Sequence, residues 1–299
     1  MKRFAWVAIL VALSGCSVIN YLFGTSNPGR TVRATLTTSD GARILLWRWV
    51  AKERNAPPVL VLPELGFDHR LVAPLCGKLR DAGFDVAALD GRDVTGAGGR
   101  FEGFAGWTID VARAAAVMGP RTVIIGVGIG GEAAITVATV GTTRGLLLIN
   151  VPLRHEVGNE ALRLALKADG YDPKAWLEHG IGAILVATGR TTQDPTITHL
   201  MELVDNTSHA AATELATRLG DGASEALPRL PVRALVSVRD NLVPSEDALP
   251  NAGAGITHAR RLGLLEGFKA DYGHLDWLAD DRELADVLPA IVEDLESIP

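Results

Sequence analysis

The stretch Arg121 to Ile135, RTVIIGVGIGGEAAI, constrains this chain more than any other. A β-branched apolar run meets a glycine-dense turn and then a helix-forming segment, so a strand has to reverse sharply into a helix. Two patterns fit the turn. Gly126, Gly128 and Gly131 satisfy G-x-G-x-x-G, the dinucleotide fingerprint. Gly126, Gly128 and Gly130 satisfy G-x-S-x-G with glycine in place of the serine. The fingerprint needs an acid about twenty residues further on, at the end of the next strand, to hold a ribose hydroxyl. That strand ends on Asn150-Val151-Pro152, without Asp or Glu. The turn also follows several earlier elements instead of opening a βαβ unit. The context of a cofactor loop is therefore missing.

The surrounding pattern sets the fold class. RTVRATLTTSDGARILLWRWVA reads as a hairpin around Ser39-Asp40-Gly41. PPVLVLPELG is a short buried strand ending in a turn, HRLVAPLCGKLRDAG a helix closing on Gly83, and FDVAALDGR a further strand. WTIDVARAAAVMG is a helix leading into the glycine turn, and GLLLIN is the strand after it. This alternation predicts an α/β fold with a mostly parallel central sheet flanked by helices. From Val151 to about Leu230 the pattern turns helical and reads as a cap-like insertion. PVRALVSVRDNLVP restores a strand, RRLGLLEGF is the expected last strand, and RELADVLPAIVEDLESI the terminal helix.

The order of these elements after about Arg33 resembles the α/β-hydrolase fold. PPVLVLPELGFDHRLVAPLCGKLRDAGFDVAALDGR is similar to that family's third strand, oxyanion loop, first helix and fourth strand. The family's usual His-Gly is replaced by Pro63-Glu64-Leu65-Gly66-Phe67. The family orders its catalytic groups as nucleophile, acid, histidine. VSVRDNLVP resembles the acid segment, which implies Asp240 as the acid, and DYGHLDWL resembles the histidine loop, which implies His274. Asp276 is a weaker candidate acid, because it follows the histidine too closely. The resemblance also implies Leu65, Gly66 and Ile129 as the oxyanion-loop and elbow residues. The nucleophile position falls on Gly128, which has no side chain to attack with. No serine lies between Ser39 and Ser208, and neither cysteine nor aspartate stands at the turn. Histidine-activated attack by a hydroxyl is therefore not expected there. Thr136 and Ser237 are the nearby hydroxyls, and neither occupies the turn. Glu64 reads as a solvent-facing loop acid, and Tyr272 as a packed loop aromatic.

The N-terminus reads as targeting sequence. Met1-Lys2-Arg3 is a positive start, Phe4 to Leu13 is an apolar run too short for a normal membrane span, and Leu13-Ser14-Gly15-Cys16 follows. This resembles a bacterial lipobox. It implies a signal peptide over residues 1–15, lipidation of Cys16, a tether over 16–30 and a folded domain over 31–299. Lipid would anchor an exported protein to the cell envelope without a spanning helix. Ser17, not Asp, follows the cysteine, which favours the outer membrane, facing the periplasm, in a Gram-negative cell. Cys76 is the only other thiol and lies in an apolar helical pattern, as a core residue does.

Composition closes off other classes. Over 299 residues, 47% hydrophobic and 21% charged residues are those of a globular chain. The net charge of -6 and the lack of a basic run argue against nucleic-acid binding. The seven histidines show no H-E-x-x-H or other close metal spacing, and no cofactor is expected. Trp47 and Trp49 share one strand face, as packing residues. The expectation is a lipid-anchored binding or scaffold protein on a hydrolase-like fold, with a small apolar ligand or a protein as partner. The alternative is an enzyme that uses Asp240 and His274 as a dyad. Histidine titrates near neutrality, and an aspartate fixes its tautomer.

Overall fold

The computed structural model describes residues 30–92, 99–141, 143–153, 170–178, 193–221, 227–240, 242, 243, 248 and 255–299. The expected signal peptide, Cys16 and all of the expected tether but Arg30 lie outside these residues. So do residues 154–169 and 179–192 of the expected insertion.

Strand β1 (Thr31–Thr37) alternates exposed and buried residues, and turns through Gly41 into β2 (Arg43–Trp49). The hairpin register runs from Thr31 opposite Trp49 to Thr37 opposite Arg43. β3 (Pro58–Leu62), β4 (Asp85–Asp90), β5 (Val123–Val127), β6 (Gly145–Ile149) and β7 (Val232–Ser237) are almost wholly buried. Such continuous apolar runs are what a parallel sheet covered on both faces requires. The last strand, β8 (His258–Leu262), is largely exposed. It starts before the expected RRLGLLEGF segment and stops at Leu262, because Gly263 leads into a 3-10 turn over Leu264–Glu266.

The eight strands form one sheet in the order β1-β2-β4-β3-β5-β6-β7-β8. Only β1–β2 and β2–β4 are antiparallel. Among the described residues, the helices include α1 (Ala73–Asp81), α2 (Gly103–Met118), α3 (Ile129–Val140), α4 (Pro195–Asn206), α5 (His209–Asp221), α6 (Asp276–Ala279) and α7 (Asp281–Glu296). α1 packs with α6 and α7, and α2 packs with α3. Among the described residues, no helix is long and apolar enough to cross a membrane. Cys76 on α1 is fully buried, and burial pushes its thiol pKa up. Trp49 is buried, and Trp47 stacks on His69 at 4.0 Å while its indole Nε1 donates to Asp90 at 2.7 Å.

The insertion contributes α4 and α5. Asp194 caps α4 through Thr196 N, with Pro195 at the first helical position. α5 is clamped to the core: Arg218 pairs with the buried Glu132 of α3 at 2.6 Å and lies over the Phe104 ring at 3.3 Å. Thr207, between α4 and α5, donates its hydroxyl to Gly66 O at 3.0 Å. The cap is thereby tied to the loop after β3, next to the glycine turn.

Candidate functional site

The parallel strands β3, β5 and β7 deliver the loops that meet at the site. β5 passes into α3 through Gly128, whose φ of 50° and ψ of -128° lie where a side chain is strained. Its neighbours pack too closely for anything but glycine. A Cβ on Gly126 would lie 2.4 Å from Gly131 Cα, and one on Gly130 would lie 2.2 Å from Pro63 O. These contacts hold α3 against β5 and β3 whether or not chemistry occurs.

Asp240, after β7, and His274, before α6, are 34 residues apart in the chain and meet. His274 Nδ1 lies 2.6 Å from Asp240 Oδ2, and both side chains are buried. The other Asp240 oxygen accepts Leu242 N and Val243 N, each at 2.8 Å, which fixes the carboxylate after β7. Asp276 does not pair with the imidazole. It accepts Gly273 N at 3.0 Å and Trp277 N at 2.9 Å, and so shapes the loop that carries His274. Tyr272 is buried with its hydroxyl on Asp286 at 2.8 Å. Ser237 is fully buried and engaged with Asn150, and Thr136 Oγ1 donates back to Glu132 O within α3.

Glu64 corrects the sequence reading. It is not a solvent-facing acid: it is 1% exposed and sits at the centre of the site. Its Oε1 accepts Leu65 N at 2.9 Å and Ile129 N at 2.8 Å. Its Oε2 lies 2.9 Å from His274 Nε2. Gly66, expected beside Leu65, instead offers its carbonyl to Thr207 and takes a φ of +86°. The space over Gly128 is filled by the same carboxylate, since a Cβ there would lie 1.8 Å from Glu64 Oε2 and 2.5 Å from Cδ. Glycine at 128 is thus a steric condition for Glu64 to reach its partners. The sequence signal was present but indirect: an acid directly after a buried strand, in the loop resembling the oxyanion loop, opposite a turn without a side chain.

The electrostatics follow. Each ring nitrogen of His274 faces a carboxylate oxygen, so both can donate only if the ring is an imidazolium. Burial by itself would push the pKa down. The charge and hydrogen bond of Asp240, joined by those of Glu64, outweigh it and push it up to about 10. At neutral pH the ring has no free lone pair to act as a base. The anion-favouring start of α3 is also already matched by Glu64, leaving no place for a pyrophosphate at this turn.

Two further groups support the site. Asn150, at the end of β6, has a φ of 52° and is fully buried. Its amide donates to His274 O at 2.8 Å and to Ser237 Oγ at 3.0 Å, and its carbonyl accepts Ser237 N at 2.8 Å. It therefore ties β6 and β7 to the histidine loop. Arg92, after β4, is buried against Asp110 of α2 at 2.7 Å and reaches Asp40 and Glu102, each at 2.7 Å. Arg92 holds the Asp40 carboxyl well below its usual range.

Asp68, His69 and Asp90 bring possible metal-ligand atoms within 4.8 Å of one another. Their oxygens are already engaged: Asp68 with the Arg70 guanidinium, and Asp90 with Trp47 Nε1, His69 N and His69 Nδ1. This group is a hydrogen-bond network under the hairpin.

No protein-family model matches this sequence, and neither does any curated protein. Solved structures do match in fold. A bromoperoxidase from Bacillus anthracis is 14% identical with a TM-score of 0.70, over 89% of this chain and 100% of that one. A hydrolase from Pseudomonas aeruginosa PA01 is 17% identical with a TM-score of 0.65, over 91% and 100%. Epoxide Hydrolase A from Mycobacterium thermoresistibile is 15% identical with a TM-score of 0.62, over 90% and 99%. At such identities the likeness concerns architecture alone. With an eight-stranded, mostly parallel sheet and a sharp β5–α3 turn, this chain has the α/β-hydrolase fold.

Proposed function

We propose that this chain is an exported lipoprotein that uses the α/β-hydrolase fold for binding or as a scaffold, without acyl transfer. One observation carries the reading: the Glu64 carboxylate fills the place where a nucleophile, an oxyanion and the histidine would have to meet. Acyl transfer needs a nucleophile at the turn, two open N–H donors for the oxyanion, and a histidine able to take a proton. Here Gly128 supplies no nucleophile, both donors are occupied, and the imidazole is held as a cation. The partner is a small ligand or another protein, and nucleic acid is not one. Lipid on Cys16 places the protein at the cell envelope, and at the periplasmic face of the outer membrane in a Gram-negative cell.

The test is exposure of the full chain to a fluorophosphonate probe and to short- and long-chain acyl esters. Neither labelling nor turnover is expected, and either one, if abolished by His274→Ala, would overturn the reading. Anchoring is tested by metabolic labelling with palmitate, which Cys16→Ala should abolish. The 2.6 Å Asp240–His274 contact favours a second reading, general-base chemistry by that dyad. That reading requires Nε2 to be released from Glu64. A His274 titration near neutral pH in the wild-type chain would support it.

A further inference from the structure

The Glu64 carboxylate shows in detail what this site recognises. One oxygen takes two convergent backbone N–H groups, Leu65 at 2.9 Å and Ile129 at 2.8 Å. The other oxygen takes His274 Nε2 at 2.9 Å. Asp240 neutralises the imidazolium from its far side at 2.6 Å. Without Glu64 the site would hold a neutral ion pair and two buried N–H groups with no acceptor, each lost partner costing about 1–3 kcal/mol. Such a site matches one planar monoanion with two acceptor oxygens. The two convergent N–H groups and the imidazole Nε2 offer three donors, the set that one carboxylate takes up here.

The loop that carries Glu64 is attached to a separate element. Thr207, between the cap helices, holds Gly66 O at 3.0 Å, and Ala211 of α5 lies against the same glycine. Beside this loop is a cavity of about 10 Å³ bordered by Leu65, Gly66, Phe67 and Trp107, large enough for one water. Buried Trp107 Nε1 has no hydrogen-bond partner among the described residues. The loop is thus held on both sides, by the site donors on one and by Thr207 and Ala211 on the other, with one water-sized gap beside it. A cap movement that carries Thr207 would draw the loop, and Glu64 with it, away from His274.

We propose that this site is a receptor for one carboxylate group, occupied from within by Glu64, and that a monocarboxylic acid is the external ligand it takes when the Glu64 loop withdraws. This rests on reading the site as a binding rather than a catalytic one, and names the ligand class. No covalent step is involved: one carboxylate replaces another on the same donors.

The experiment titrates the full chain and its Glu64→Ala variant with sodium butyrate against equal sodium chloride, following the His274 imidazole by ¹⁵N NMR and the affinity by calorimetry. Removing the tethered competitor should tighten butyrate binding by about tenfold or more. Adding His274→Gln to Glu64→Ala should abolish it. The wild-type chain should bind butyrate more weakly, with its His274 resonance already close to that of the butyrate-bound variant, because Glu64 presents the same group. Equal affinity in the two chains, binding that survives His274→Gln, or a wild-type His274 resonance unlike that of the butyrate-bound variant would each overturn the proposal. If Glu64→Ala does not fold, Glu64→Gln serves in its place, because its amide presents a donor to donors and should yield to butyrate more readily than Glu64 does. Ester turnover by the wild-type chain would overturn the non-catalytic reading and leave carboxylate binding standing. Absence of butyrate binding without ester turnover would sink the carboxylate receptor alone.

Discussion

The dependence of Glu64 on Gly128 gives the sharpest prediction. In Gly128→Ser the new Cβ would lie 1.8 Å from Glu64 Oε2 and 2.5 Å from its Cδ, so the carboxylate has to leave. It would give up two backbone N–H bonds and the bond to His274. Bonds to charged groups contribute roughly 1.5–3 kcal/mol each, so their loss costs roughly 5 kcal/mol or more. A side chain at the φ of 50° adds about 1–3 kcal/mol of backbone strain. The total rivals the whole stability of an ordinary domain, about 5–15 kcal/mol. In a Glu64→Ala background the collision is gone, and only the strain remains for the serine to bear. Urea unfolding of the wild type, both single variants and the double variant therefore should show a coupling of roughly 5 kcal/mol, far beyond the ~0.5 kcal/mol scatter of independent sites. Hydrolysis of 4-nitrophenyl acetate should be absent in Gly128→Ser, whose serine has no room beside Glu64, and should appear only in the double variant. If Gly128→Ser costs the same in both backgrounds, Glu64 does not occupy the space over the turn and the reasoning fails.

Other consequences can be measured independently. The pKa of His274 is raised from 6.5 to about 10, so its charged form contributes stability that is fully present below about pH 6.5 and lost as pH rises through about 10. Unfolding midpoints should fall over that window in the wild type, and this fall should be absent from His274→Gln. Asn150→Ala should destabilise by about 2–4 kcal/mol, because it removes three buried hydrogen bonds and strains an alanine at φ 52°. Asn150→Gly, measured alongside, separates the strain from the bonds. Arg92→Met should cost about 3–5 kcal/mol, since fully buried Asp110 loses its cation, and Asp110→Leu in the same chain should recover much of it. Both are read by urea unfolding.

How far the sequence spoke depended on the range of the interaction. Strands β3 to β7 were legible because burial on both faces demands unbroken apolar runs, and local composition records that demand directly. β8 was misplaced because it is an exposed edge strand, HARRL, with little apolar content. Leu264 and Leu265, inside the expected strand, are exposed on the turn after it. Asp240 and His274 were found through motif order, and their meeting is a consequence of β7 and the α6 loop ending at the same edge of the sheet. Asn150 left no local signature, because its role is to bond groups 87 and 124 residues away.

Glu64 is the instructive failure. A single acid in a loop is most often solvated, and nothing beside it suggested a partner for its charge. Its burial is explained only by three groups distant in sequence: an N–H at the start of α3, an imidazolium 210 residues away, and the empty volume left by Gly128. Each of these was visible alone as an oddity. The missing side chain looked like a loss, the missing His-Gly like a departure, and the retained Asp240–His274 pair like a remnant. Together they are one hydrogen-bonded arrangement. Two buried N–H groups and an imidazole Nε2 without an acceptor are costly, and the chain satisfies all three with its own carboxylate. A side chain at position 128 and the buried Glu64 therefore exclude each other, since both need the same volume. The histidine and both N–H donors hold that carboxylate, and Asp240 holds the histidine.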